Sequence, residues 1–233
     1  MKKIFLKLFL FIFFILSIVI VILSTIGIET NKFNEIISEK VNETNNIKLE
    51  LDTIKFKLDP KELSLFLETK NPKINYRNIS IPVQYLKTYI DFLSVIKSKP
   101  NIKKISLKLE ELDVSQFNKL SILIKPSTFK SFLNNKLKEG KLVSEIEIYL
   151  NDKGTLKNFI AKGSVRNLRA ELINDIKLIN TSLNFFADRN DILIKNIIGN
   201  IEDIKISDGD LKFNFENGIK VNKSNLEFRE GLR

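Results

Sequence analysis

The sequence predicts a β-rich α+β protein: an N-terminal transmembrane helix, then about a dozen mostly antiparallel strands and two or three further helices. Three observations carry that prediction. Residues Leu8–Ile28 read LFLFIFFILSIVIVILSTIGI without a single charge. From Ile47 onward apolar residues recur at every second position in run after run, the period of a strand with one buried face. Short polar clusters rich in Asn and Asp separate those runs, and both residues tolerate the backbone of tight turns.

The apolar run comes first in the chain. As a helix its length is about 31 Å, which matches the hydrocarbon core of a bilayer. Lys2, Lys3 and Lys7 precede it and Glu29 follows it, so the positive-inside rule keeps the N-terminus cytoplasmic and exports the remainder. The run is longer than the apolar core of about 7–15 residues found in cleaved signal peptides, and no A-x-A-like site follows it. Residues 1–29 therefore read as a signal anchor, with Leu8 and Ile28 bounding the membrane segment. The small residues between Ser24 and Gly27 keep cleavage open as the alternative.

Residues 30–43 place Phe33, Ile36, Ile37 and Val41 near one helical face, with Thr30 set to cap the start. They read as a short amphipathic helix leaving the membrane. Residues 44–233 form the exported domain, divided into 44–140, which contains helices, and 141–233, which is all strands. Ile47, Leu49 and Leu51 alternate with charged residues, as do Ile54, Phe56 and Leu58, with the parity slipping at Asp52–Thr53. That slip suggests a bulge or bend within one strand. After the turn Asp59-Pro60-Lys61 the pattern resumes at Leu63, Leu65 and Leu67, so the first segments read as a meander. INYRNISI (74–81) is a short strand.

Pro82 then opens a predicted helix over 83–99, with Leu86, Ile90, Leu93 and Ile96 on one face and Pro100 as its end. Ile105, Leu107 and Leu109 make a strand. A second helix is predicted over 126–139, stopped by Gly140. Ile146, Ile148 and Leu150 form the next strand, and Asn151-Asp152-Lys153-Gly154 is a hairpin turn. Further strands follow around 156–165, 176–186, 191–198, 201–206, 211–215 and 219–228. The separators are Asp188–Asp191, Ser207–Asp210 and Glu216–Gly218. With 8 Gly in the chain, Asn and Asp must supply many of the turns.

Composition removes much of the chemistry. The chain holds no Cys and no His, which excludes disulfides, thiolate metal sites, cysteine nucleophiles and the commonest general base. Two S-x-x-K pairs, Ser94–Lys97 and Ser127–Lys130, lack the companion elements of serine-lysine acyl enzymes and occur as often as chance provides. Asp208-Gly209-Asp210 lacks the later acidic ligands of a calcium loop and reads as a turn. No phosphate-cradling glycine motif is present. No enzyme activity, cofactor or metal is expected. The net charge of +10 is spread as single lysines along alternating segments, without the clustered stripe that nucleic-acid binding requires.

The alternation is what remains. An apolar strand face must be buried against another layer or against a ligand. Two helices cannot cover about a dozen strands, so the sheet either closes on itself as a sandwich or barrel, or curls into a trough filled from outside. Aliphatic residues and 18 Phe suit acyl chains, which require apolar surface without directional partners. In a trough, the lipid-facing residues would be Leu49, Leu51, Phe56, Leu58, Leu65, Leu67, Ile105, Leu107, Leu109, Ile146 and Ile148.

The stretch KFKLDPKELSLFLETKNPKINYRNISIPVQYLKTYIDFLSVIKSKPNIKKISLKLEELDV resembles the N-terminal region of AsmA-like envelope proteins of the YhdP and TamB type. The likeness lies in Asn71-Pro72-Lys73-Ile74-x-Tyr76, in Ile79-x-Ile81-Pro82, and in Ile105-x-Leu107 after Pro100. The tail GNIEDIKISDGDLKFNF resembles that family's repeating strand-turn units. The resemblance implies an elongated, curved β-groove on an inner-membrane anchor, with its bulk in the periplasm of a Gram-negative cell. It also implies transport of phospholipid and a part in outer-membrane homeostasis. One departure is length. About a dozen strands at about 4.8 Å give a trough near 60 Å, well short of a periplasm, which leaves three readings: a truncated member, an N-terminal piece, or a module that pairs edge to edge with another groove protein. The competing reading is a membrane-tethered, non-catalytic scaffold or envelope-assembly protein with a closed β core.

Overall fold

The computed structural model describes residues 2–31, 34–42, 47–61, 64–91, 101–121, 135–171, 176–214 and 220–229. Helix α1 (Lys2–Thr25) carries the apolar run, whose most apolar 18 residues reach a mean hydropathy of 3.1. It is long and apolar enough to span a membrane. The helix stops at Gly27, whose φ of 77° is left-handed, and the amides of Ile26 and Gly27 both donate to the Ile22 carbonyl. Ile28 thus falls outside the helix that it was expected to bound. It opens strand β1 (Ile28–Thr30). Thr30 belongs to β1 as well and is not a helix cap; the following helix α2 runs from Asn34 to Asn42. Asn42 Oδ1 accepts from the Leu49 amide at 2.8 Å, tying α2 to the sheet.

Thirteen further strands follow: β2 (Ile47–Glu50), β3 (Ile54–Asp59), β4 (Ser64–Lys70), β5 (Lys73–Tyr76), β6 (Ile79–Ile90), β7 (Ile102–Leu109), β8 (Leu112–Asp113), β9 (Leu137–Leu150), β10 (Leu156–Glu171), β11 (Lys177–Asp188), β12 (Asp191–Ile201), β13 (Ile204–Asn214) and β14 (Lys220–Arg229). Every ladder is antiparallel, and the main path runs β1-β3-β4-β6-β7-β9-β10-β11-β12-β13-β14. Strands β2, β5 and β8 branch from it, β2 on β5, β5 on β6 and β8 on β9. The β-rich, mostly antiparallel architecture with few helices holds.

Local chemistry explains the turns. Asp59 Oδ1 accepts from the Lys61 amide, Asn151 Oδ1 from Lys153 and Thr155, and Asp188 Oδ1 from Asn190 and Asp191. Each is an Asx turn. Among the described non-glycine residues with left-handed φ, five are Asn: Asn71, Asn78, Asn167, Asn180 and Asn196.

Several expectations fail. The helix expected over 83–99 is replaced over its described part by β6, and residues 92–100 lie outside the described chain. Leu86 and Ile90 satisfy helical spacing, but Tyr85 to Ile90 also alternates and is rich in β-formers. Pairing with both β4 and β7 decides for the strand. Of the helix expected over 126–139, residues 126–134 lie outside the described residues, 135–136 are helical, and Leu137–Glu139 already belong to β9. β2 does not continue into β3 or form the first arm of a meander: it pairs with β5, while β3 pairs with β1 and β4. Residues 74–81 are a hairpin rather than a single strand, turning at Arg77-Asn78. Ser207–Asp210 is no separator, since β13 runs through it; the turn lies at Glu202-Asp203, where Glu202 Oε1 accepts from the Lys177 amide. An unexpected helix, α3 (Val114–Ser121), starts on a capping box: Asp113 Oδ1 accepts from the Gln116 amide at 2.7 Å, and Gln116 Oε1 from the Asp113 amide at 3.0 Å.

Many of the ladder irregularities lie in one band across the sheet, while those at Tyr89–Ile90, Leu156–Asn158 and Lys212–Phe213 lie outside it. Moving across the sheet, those in the band are the breaks at Leu51–Thr53 and Asn71-Pro72, a register shift at Gln84, the break at Glu110-Glu111, then Gly140, Asn167, Asn180, Asn196 and a shift at Ser207. Each inserts a residue or leaves the β region, which bends a strand. Aligned, they crease the sheet along its length and give it two walls. The apolar parity changes at the crease: Ile81 and Val83 give way to Leu86 and Ile90, Ile192 and Ile194 to Ile197, and Ile204 and Ile206 to Leu211 and Phe213. One apolar surface therefore turns the corner unbroken.

Candidate functional site: an apolar trough

Register builds the apolar surface from rows of cross-strand neighbours. Ile28, Phe56, Leu67, Thr88, Ile105, Ile148 and Phe159 form one row across β1, β3, β4, β6, β7, β9 and β10. The next row runs Ile54, Thr69, Leu86, Leu107, Ile146, Ala161, Ala187, Ile192 and Phe213. Leu58 and Leu65 pair nearer the rim. On the second wall Leu49 is buried beside Ile74, which pairs in turn with Ile81.

Of the residues singled out in the sequence, Phe56, Leu67, Ile105 and Ile148 thus share one row, and Leu107 and Ile146 the next. Leu109 is buried in the corner against Val83. Leu51 lies in the break between β2 and β3, outside any strand. Sequence reasoning named nothing beyond Ile148, although Phe159, Phe185, Ile194, Leu211 and Phe213 occupy the same face. Their alternation was available as a signal.

Burial follows distance from the corner. Val83, Leu109 and Leu112 form a packed cluster that gathers Ile74 and Ile81 from one wall and Leu107, Leu142 and Ile146 from the other, with Leu120 of α3 laid over them. Thr181, Ile197 and Ile206 are buried along the crease farther on. Half-way up the walls the apolar side chains are half-buried. At the rims they are exposed: Ile102 by 38%, Leu156 by 60% and Ile204 by 52%. Helix α3 lies on this surface against β6, β8 and β9, and α2 packs against β2.

The opposite face is richer in charge and largely paired internally, although Phe66, Phe186 and Leu193 also lie on it. Glu68 bridges Lys57 at 2.7 Å and Lys87 at 3.5 Å, and Lys162 bridges Glu145 and Glu147. Tyr85 and Ser106 donate to Glu145, and Tyr149 donates to Glu147 at 2.6 Å. Lys104 stands 4.1 Å from the Tyr89 ring. Burial raises the Glu68 carboxyl, but its bonds and ion pairs with Lys57 and Lys87 outweigh that and hold it below the usual glutamate range. Burial, with the Glu145 charge beside it, pushes Tyr85 up to about 12. Many charges of this face pair with one another across the strands. Among the described residues no cluster of acidic side chains is placed to hold a metal ion.

No protein-family model, curated protein or solved structure matches the chain.

Proposed function

We propose that this protein is anchored by α1 in the inner membrane, N-terminus cytoplasmic, and holds phospholipid acyl chains in the apolar trough on its periplasmic side. The gradient of burial supports the reading: one face is apolar along most of the sheet, sealed at the corner and left greasy at the rims. An acyl chain gains about 0.8 kcal/mol per buried CH₂ in either environment, so a lipid exchanges bilayer for trough at nearly balanced free energy. That balance suits a carrier, and the role is binding without catalysis. The order of parts that resembles AsmA-like proteins belongs to the same proposal, as does a role in outer-membrane lipid homeostasis. The corner cluster under α3 favours a second reading, a tethered scaffold, because there the two walls pack on each other.

The test is co-purified lipid. The full chain and a rim variant, Ile102→Asp with Leu156→Asp, are extracted in the same mild detergent and their phospholipid is quantified by mass spectrometry. Both retain α1 and its annular lipid, so the difference reports the trough. The variant is expected to carry less phospholipid at an unchanged melting temperature. Equal lipid in both would discard the carrier reading and leave the scaffold.

A further inference from the structure

We infer that a cleft between α3 and the start of β9 seats the phosphate of a phospholipid whose acyl chains lie in the trough. The protein then prefers lipids that bear a phosphate to lipids with the same chains and none. The inference rests on the acyl-chain reading above and adds the headgroup to it. The cleft has a volume of about 580 Å³ and is lined by Val114, Ser115, Asn118 and Lys119 of α3 and by Leu137 and Lys138 of β9. Val114 and Leu137 give it apolar surface; the other four give it polar groups. Leu137 also ties it to the trough. It pairs with Ala170, and the row continues through Leu178 and Ile201 to Ile204 at the rim of the second wall. Leu120, next to Lys119 on α3, packs on the corner cluster. A lipid whose chains lie along that row brings its polar end to the cleft.

Charge names the polar end. Around the cleft Glu111 is engaged by Lys141 and Arg166, both at 2.7 Å, and Glu139 by Arg169 at 3.1 Å. Lys138 is held loosely: it reaches Glu171 and the Asn135 carbonyl at 3.5 Å each, and its side chain is 46% exposed. Lys119 makes no ion pair among the described residues. Asn118 Oδ1 is buried without a hydrogen-bond partner, so the polar groups of this lining are not matched to one another. One unpaired and one loosely paired ammonium beside apolar surface complement a phosphodiester, an anion with oxygens enough for both. The volume admits a whole glycerophosphate head.

The test uses the full chain in a neutral detergent. It is incubated with mixed micelles of phosphatidylglycerol and diacylglycerol of the same chains, and bound lipid is counted by native mass spectrometry. Lys119→Gln with Lys138→Gln removes the cations of the cleft. Lys61→Gln with Lys153→Gln, in exposed turns, removes the same charge elsewhere. Wild type and the turn variant are expected to favour phosphatidylglycerol by about fivefold or more, since an exposed ion pair yields up to about that factor. The cleft variant is expected to bind both lipids alike, with its diacylglycerol binding and melting temperature unchanged. Millimolar inorganic phosphate is expected to leave bound lipid in place, because apolar contacts hold it too. Lipid bound by the wild type without preference overturns the inference and spares the acyl-chain reading; no lipid bound at all overturns both. A preference that the cleft variant keeps or the turn variant loses overturns it as well. So does displacement by inorganic phosphate, the mark of a site for free anions.

Discussion

Shortening one leucine in the corner and one at the rim tests whether the trough is open. Leu112 is 1% exposed and packs with Val83, Leu109 and Leu142. Leu112→Ala removes three carbons, a transfer loss of about 2.4 kcal/mol at about 0.8 per carbon. A cavity of about 60 Å³ left unrelaxed adds about 1.4 kcal/mol. The sum, about 4 kcal/mol, corresponds to a fall in melting temperature of about 8–16 °C for a domain of this size. Leu156 is 60% exposed, and Leu156→Ala is expected to cost about 0.5 kcal/mol or less, a shift of about 2 °C or less. The assay is thermal unfolding of the full chain in detergent micelles, followed by far-ultraviolet circular dichroism at the strand minimum. Equal shifts for the two variants would refute the reasoning, because a rim leucine that matters as much as a corner leucine is a core residue of a sealed sandwich.

Further outcomes follow from backbone and charge. A Cβ at Gly199 would stand 2.2 Å from Thr181 Oγ1 and 2.6 Å from its Cα, so Gly199→Ala is expected to destabilise by about 1–3 kcal/mol; at Gly154 nothing lies within 4 Å, and Gly154→Ala carries the left-handed strain alone, about 1 kcal/mol. Urea midpoints separate the two. Asn180 holds a φ of 46°, so Asn180→Val is expected to lose about 1–2 kcal/mol while Asn180→Gly stays near wild type; matching losses would deny that the backbone angle is what the site demands. Glu68 has a folded pKa below its ordinary value of 4.5. The stability it confers is therefore present above about pH 4.5 and lost as pH falls through the folded value. Glu68→Gln is expected to flatten that acid limb, which melting temperatures between pH 6 and 3 would record.

Much of the fold is legible in residue order, and the misses have physical causes. The apolar run at the N-terminus and the strands with strict alternation announce themselves, because a period of two over eight or more residues has no other use. β6 misleads because Leu86 and Ile90 lie four apart, a spacing that both a helix and an alternating strand accommodate; β4 and β7 on either side decide it. Helix α3 is too short for periodicity to show, yet Asp113-x-x-Gln116 is a capping signal. The parity slip at Asp52–Thr53 was visible, but its meaning required the others: it recurs at Gln84, Asn167, Asn196 and Ser207, and in concert such slips form a corner. Candidate residues chosen by alternation, such as Phe56, Ile105 and Ile148, fall on a shared row. Leu51 does not, because the slip removes it from the ladder.

Most strands that make the turn carry their own hinge, an inserted or left-handed residue within a few positions of its neighbour's. The profile of the gutter is therefore written locally, hairpin by hairpin, while its extent depends only on how many hairpins are joined. A duplicated hairpin that brings its asparagine along would lengthen the conduit and leave its cross-section untouched, so reach and bore can change separately.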